Sequence, residues 1–253
     1  MDYLSVAEAR ARPGLKLVLS THVPGPWGEA AKAVLRARRL DFIPVAQTPM
    51  APNEDLVAWT GIRNAPILVP DEGPPLSGWL DILMFAEASG TGPSLLPDRS
   101  ADRVLVFGLA AEICAPGGLG WSRRLSMFQK AGVSDQPPQR AAIIGEYGYS
   151  PSTVSAASRR VIEILETLAA QLHGQRSRGS RYLVGERLSA CDLYWTCFSI
   201  TVRALAPEEA PMPEQTRRRY TDVDPAIAEA VHPILIEHRD FIYREHIGLP
   251  LDF

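Results

Sequence analysis

The chain has 253 residues, 46% of them hydrophobic and 22% charged, with a net charge of −3. This length supports one large domain or two modest ones with a core that needs no disulfides, and the composition excludes a disordered chain. The slightly acidic balance offers no basic field, so nucleic acid and anionic membrane surfaces are excluded as first partners.

Leu15 to Ser20 is a short apolar run that predicts a buried strand. Two prolines and two glycines make Thr21 to Gly28 a loop. Trp27, Ala30, Ala31, Val34 and Leu35 then recur at helical spacing, with Lys32, Arg36 and Arg39 on the other face. Asp41 to Ala46 predicts a second strand, and Pro44 assigns it to an edge or a bulge because proline has no N–H for the ladder. Asn53 to Thr60 predicts a short helix capped by Asn53 and closed by Gly61. Pro66 to Val69 predicts a third strand, and a short fourth ends near Leu76 after the turn Pro70 to Pro75. Ser77 opens a helix that runs to about Ser89. The first ninety residues therefore read βαβαββα.

Gly90 to Arg99 is rich in turn formers and reads as a linker. Beyond it the pattern is helical throughout. The clearest stripe is Val154, Ala157, Val161, Ile164, Leu165, Leu168 and Leu172. Gly117 to Gly120 interrupts the first helix of this half, Ala131 to Pro151 reads as a loop around Pro137-Pro138, and Ala206 to Pro213 breaks another helix. Pro233 stands near the start of a last helix containing Leu235, Phe241 and Ile242. The expectation is an α+β chain with domains at 1–89 and 101–253, joined by a linker at 90–100, the second domain all-helical.

Cys114, Cys191 and Cys197 form no CxxC pair, which reads as a reducing compartment. The first residues lack the apolar core of a signal peptide, and no stretch approaches the roughly 20 apolar residues of a membrane span. A cytoplasmic location is expected. His232, His238 and His246 do not share one helical face, so no metal site is expected. Arg217-Arg218-Arg219 reads as a solvated face.

Two local signatures stand out. In Asn64-Ala65-Pro66-Ile67-Leu68 a proline opens a strand directly after a short helix. A cis Ala65–Pro66 bond there turns the Ala65 backbone outward, where its N–H and C=O can pair with an extended peptide. In Val184-Gly185-Glu186-Arg187-Leu188-Ser189-Ala190-Cys191-Asp192, Ser189 and Asp192 have the spacing of a capping box, flanked by Leu188 and Leu193 as a staple.

These signatures, in this order, resemble those of the glutathione transferase family, over most of the chain and more loosely between about Asp98 and Pro151. The resemblance implies a thioredoxin-like N-terminal domain, an all-helical C-terminal bundle and a two-fold homodimer. It implies glutathione as co-substrate and a small hydrophobic electrophile as partner. Ala65 and Pro66 would hold the cysteinyl backbone of glutathione, and Ser77 and Gly78 its γ-glutamyl carboxylate. The N–H groups of Trp27 and Gly28 would face the sulfur. Thr21 stands where some members carry Tyr, and Gly25 where others carry Ser or Cys. The thiolate donor is therefore sought among Thr21, Ser20 and His22. Trp121, Arg123, Arg124, Phe128, Tyr147 and Tyr149 fall in the region that would shape a second-substrate site. Two other outcomes are compatible with the same fold: a non-catalytic ligand- or protein-binding chain, and a glutathione-dependent isomerase or reductive-cleavage enzyme.

Overall fold

The computed structural model describes residues 1–130, 132 and 136–253, and the chain divides into two compact units. The first comprises residues 1–95 with Pro207–Met212 and Leu249–Phe253. Its sheet has the order β2-β1-β3, from β1 (Lys16–Ser20), β2 (Ile43–Gln47) and β3 (Ile67–Val69). β1 runs parallel to β2 and antiparallel to β3. The central position of β1 explains its apolar run, since Leu17, Val18 and Leu19 are buried.

The expected fourth strand is a single bridge between Leu68 and Leu76, with backbone bonds of 2.7 and 2.8 Å. Pro74 and Pro75 precede Leu76 and lack the N–H groups that would extend the ladder. An unanticipated helix α1 (Val6–Arg10) starts at a Ser5–Glu8 capping box. Just before it, Leu4 bridges Val45 on the outer side of β2, so the edge strand with Pro44 is partly covered.

Helices α2 (Pro26–Ala37), α3 (Glu54–Thr60) and α4 (Trp79–Ser89) complete this unit. Asn53 precedes α3 in a left-handed conformation and does not cap it. Its side chain instead clasps the preceding turn, accepting from Thr48 N–H at 3.1 Å and donating to the Thr48 and Ala51 carbonyls at 2.9 Å. Lys32, expected on a solvated face, is only 2% exposed. Its Nζ lies 2.8 Å from Glu29, 2.6 Å from the Asp252 carbonyl and 3.3 Å from the Asp252 carboxylate, because the segment Leu249–Phe253 covers that face of α2. The Leu249–Pro250 peptide in this segment is cis. The buried Arg38 guanidinium donates to the carbonyls of Ala86 (3.3 Å), Glu87 (3.2 Å), Gly90 (2.7 Å) and Gly92, fixing the chain that leaves α4. A side chain at Gly92 would collide with the Ala37 carbonyl.

The second unit comprises residues 96–206 and 213–248 and is helical. It contains α5 (Ser100–Cys114), α6 (Leu119–Lys130), α7 (Pro138–Glu146), α8 (Pro151–Ser177), α9 (Ala190–Phe198), α10 (Glu214–Thr221), α11 (Pro225–Ala230) and α12 (Pro233–Ile242). By length and composition, the run Ser100–Lys130 is apolar enough to cross a membrane. Residues 115–118 break it into α5 and α6, at the glycines where an interruption was expected. The expected loop at 131–151 lies partly outside the described residues, and within it Pro138–Glu146 is helical. Proline at the first helical position sacrifices an N–H that has no partner there anyway, so Pro137-Pro138 starts a helix here.

The predicted stripe of α8 is buried from Val154 to Leu172. α9 starts at the predicted Ser189–Asp192 box. The fully buried Asp192 carboxylate accepts from Ser189 N–H (2.8 Å), Ser189 Oγ (2.6 Å) and Leu183 N–H (2.7 Å), and lies 2.9 Å from His238 Nε2. One 3₁₀ turn (Ser199–Thr201) follows α9, and a π turn (Tyr243–Ile247) follows α12.

Candidate functional site

The sheet register brings most of the predicted residues of the first unit to one end. β1 and β2 finish together, with Ser20 opposite Gln47. The antiparallel pairing Val18–Ile67 puts the start of β3, which Ala65 and Pro66 precede, at the end of the sheet where β1 finishes. The antiparallel bridge Leu68–Leu76 sends the chain after Leu76, toward Gly78 and the start of α4, to that same end. The start of α2, the Ala65–Pro66 edge and the start of α4 therefore open at the same end of one sheet, where the carboxyl ends of parallel strands in α/β folds commonly receive ligands.

The Ala65–Pro66 peptide is cis. Pro66 is buried and Ala65 half-buried against the core of Val18, Val45 and Ile67. Ala65 precedes the first ladder residue of β3, so its backbone N–H and C=O lie outside the β1–β3 pairing.

Both helices that start here lack a side-chain cap. α2 begins after Gly25 and α4 after Gly78. Pro26 at the first position of α2 has no N–H, which leaves Trp27 and Gly28 as its first donors. Gly28 also has a packing role, since a Cβ there would stand 3.1 Å from Leu19 Cδ2. The structure corrects the expectation that Ser77 caps α4. Gly78 is the cap residue, and Ser77 lies one position upstream and exposed. Asp81, on the first turn of α4, lays its carboxylate where a Gly78 side chain would stand.

The three candidate donors differ in what holds them. The Ser20 hydroxyl donates to Gln47 Oε1 at 2.7 Å. The Thr21 hydroxyl reaches the Gln47 carbonyl at 3.5 Å, the limit of a hydrogen bond, while Thr21 N–H donates to the same carbonyl at 3.1 Å. His22 is exposed with a positive φ of 60°. Gln47 was not foreseen. The sequence offered only a polar residue directly after the predicted strand Asp41 to Ala46; the structure extends β2 to it and buries it at 3% exposure.

In the second unit, Trp121 and Tyr147 flank Arg124, and Phe128 packs on Tyr147. The Arg124 guanidinium lies 5.7 Å from the Trp121 ring centroid and 4.7 Å from that of Tyr147, and the Tyr147 ring is 5.5 Å from Trp121 and from Phe128. Burial lowers the Arg124 pKa from its ordinary value. Arg123 does not join this cluster. It is buried and donates to the Thr201 carbonyl at 2.9 Å. Among the described residues, no group of three or more His, Cys, Asp or Glu is placed to hold a metal ion.

No protein-family model matches the sequence, and no curated protein does. Solved structures do match. One is a glutathione S-transferase from Methylobacterium radiotolerans in complex with glutathione sulfonate, at 18% identity over 92% of each chain with a TM-score of 0.64. Another is a maleylacetoacetate isomerase from Methylobacterium extorquens AM1 with bound malonate and glutathione, at 18% identity over 86% of this chain and 98% of that one, TM-score 0.54. A third is the beta-etherase LigF from Sphingobium sp. strain SYK-6, at 16% identity with the same coverage and a TM-score of 0.56. With its small mixed sheet followed by a helical unit, this chain has the glutathione S-transferase fold.

Proposed function

We propose that the chain binds glutathione at the open end of its sheet and activates the thiol for attack on a small hydrophobic electrophile. The observation that carries this reading is that the Ala65 backbone edge and two helix starts without side-chain caps, Gly25 on α2 and Gly78 on α4, lie at the same end of one sheet. An extended peptide pairs with such an edge as an added strand does. Helix starts attract anions, which suits a γ-glutamyl carboxylate near Ser77 and Gly78 and a thiolate near Trp27 and Gly28.

A thiol of pKa about 8.5 needs about 2.7 kcal/mol of differential stabilisation to ionise two units lower. A hydroxyl donating to the anion supplies about 1.5–3 kcal/mol, and a helix N-terminus about 0.3–1 kcal/mol. Ser20 already donates to Gln47, so Thr21 is the donor in this reading, with a ring N–H of the exposed His22 as the remaining candidate. Neighbours of this fold that carry glutathione or its sulfonate support the ligand. Isomerase and etherase neighbours keep isomerisation and reductive cleavage as alternative chemistries for the same bound thiol.

A second reading, a ligand- or protein-binding chain without turnover, is favoured by Gly25, which offers no hydroxyl at the start of α2. In the proposed organisation residues 1–89 bind glutathione, 90–100 link and 101–253 form the helical domain. In this reading the protein is a cytoplasmic homodimer, and the exposed Leu80 and Met84 on α4 supply an apolar face for self-association.

Calorimetric titration with glutathione tests the ligand. Saturable binding with a Kd at or below the millimolar range supports it, and no heat at several millimolar refutes it. Turnover of a chlorinated aromatic electrophile separates the enzyme from the binding chain.

A further inference from the structure

The second unit has a cationic cleft that the glutathione reading does not use. A cavity of about 700 Å³ opens between the end of α6, the start of α7 and the face of α10. Lys130, Arg140, Arg218 and Arg219 line it, and among the described lining residues Asp222 is the carboxylate. The chain as a whole carries a net charge of −3, so this gathering of positive charge is local.

Two of the four cations are engaged. Lys130 pairs with Asp222 at 2.5 Å, and Arg218 with Glu214 at 3.2 Å. The other two have no ion partner among the described residues. Arg140 stands in the first turn of α7, next to the positive end of that helix, and its Nε is buried without a hydrogen-bond partner. A cation at a helix start and a buried donor without an acceptor are both unfavourable, and a bound anion relieves both. Arg219 is exposed on α10 beside the cleft, whereas Arg217, from the same basic run, turns away to donate to the Leu205 carbonyl at 3.0 Å.

We propose that this cleft binds a small molecule carrying two or more oxyanion groups, held chiefly by Arg140 and Arg219. Guanidinium forks match phosphate and carboxylate oxygens in pairs, and the volume is that of a small-molecule site rather than of a single ion.

Titration of the full chain with tripolyphosphate and, separately, with citrate, at fixed ionic strength, tests it. Saturable binding of one anion or both is expected, and the stronger of the two identifies the headgroup as phosphate or carboxylate. Arg219→Gln weakens that binding about tenfold, as does Arg140→Gln. If Arg140→Gln does not fold, Arg219→Gln and Arg218→Gln carry the test. Arg159→Gln, a surface charge on α8, leaves it unchanged. No saturable binding of either anion, or an equal loss in Arg159→Gln, overturns the proposal.

Discussion

The Ser20 hydroxyl donates to Gln47 Oε1 at 2.7 Å, tying the ends of two parallel strands together at the mouth of the candidate site. The bond engages the Ser20 hydroxyl and leaves Thr21 as the more loosely held of the two. Thr21→Ala is expected to raise the pKa of bound glutathione by about one unit, or about 1.4 kcal/mol. Ser20→Ala leaves that pKa nearly unchanged but costs about 1–2 kcal/mol of stability, because it strands a buried acceptor. Thiolate absorbance against pH and urea unfolding of both variants check the two halves. A larger pKa shift in Ser20→Ala would reverse the assignment.

Asp192 ties the start of α9 to Leu183 and to His238. Asp192→Ala leaves two N–H groups and a histidine buried without their acceptor, and is expected to cost about 4 kcal/mol or more. Ser189→Ala removes only its own hydroxyl from the box and costs about 1 kcal/mol. Urea midpoints at neutral pH measure both, and equal losses would count against the carboxylate as the hub.

Lys32 and Glu29 are buried together on α2, 2.8 Å apart. Burial pushes the Glu29 carboxyl above the usual glutamate value, against the pull of Lys32. Lys32→Met therefore strands a buried acid and is expected to cost about 3–5 kcal/mol. The double variant Glu29→Gln/Lys32→Met regains most of that loss, which a double-mutant cycle of unfolding free energies measures. A double variant no more stable than Lys32→Met would contradict this account.

His246 lies 3.2 Å from the Tyr182 hydroxyl and packs its ring edge-on to Phe241, at 5.9 Å between centroids. Burial lowers its pKa below the usual histidine value. The folded state then binds fewer protons than the unfolded one, so this contribution is complete above about pH 6.5 and is lost as pH falls through the depressed folded value. The stability difference between the wild type and His246→Asn is expected to shrink on acidification, and the His246 ring resonance to titrate below about 6.5 in NMR spectra. A midpoint above that value would refute the burial argument.

Local pattern carried much of this structure. The stripe from Val154 to Leu172, the Ser189–Asp192 box and the break near Gly117 follow from spacing alone, because their partners lie within a few residues or on one helix face. The apolar core of α2 was legible in the same way. The burial of Lys32 was not, because its partner Asp252 lies far along the chain and no local rule connects them. Pro137-Pro138 signals a break and a helix start equally well, and only the turns that follow decide between them. At the site, the Ala65–Pro66 edge was readable from its context. The position of Ser77 missed the cap by one residue, and the Ser20–Gln47 bond depended on a strand register that composition does not encode.

The first unit is threaded, since Pro207–Met212 and Leu249–Phe253 belong to it although more than a hundred residues intervene after position 95. Leu251 N–H donates to the Glu209 carbonyl at 2.8 Å, so the two returning pieces also hold each other. No single cut can release this unit whole. A fragment of residues 1–95 would expose the Lys32 ammonium and the apolar surface around it, so dissecting the protein calls for rejoining the returning pieces by a designed connection rather than for a stop codon.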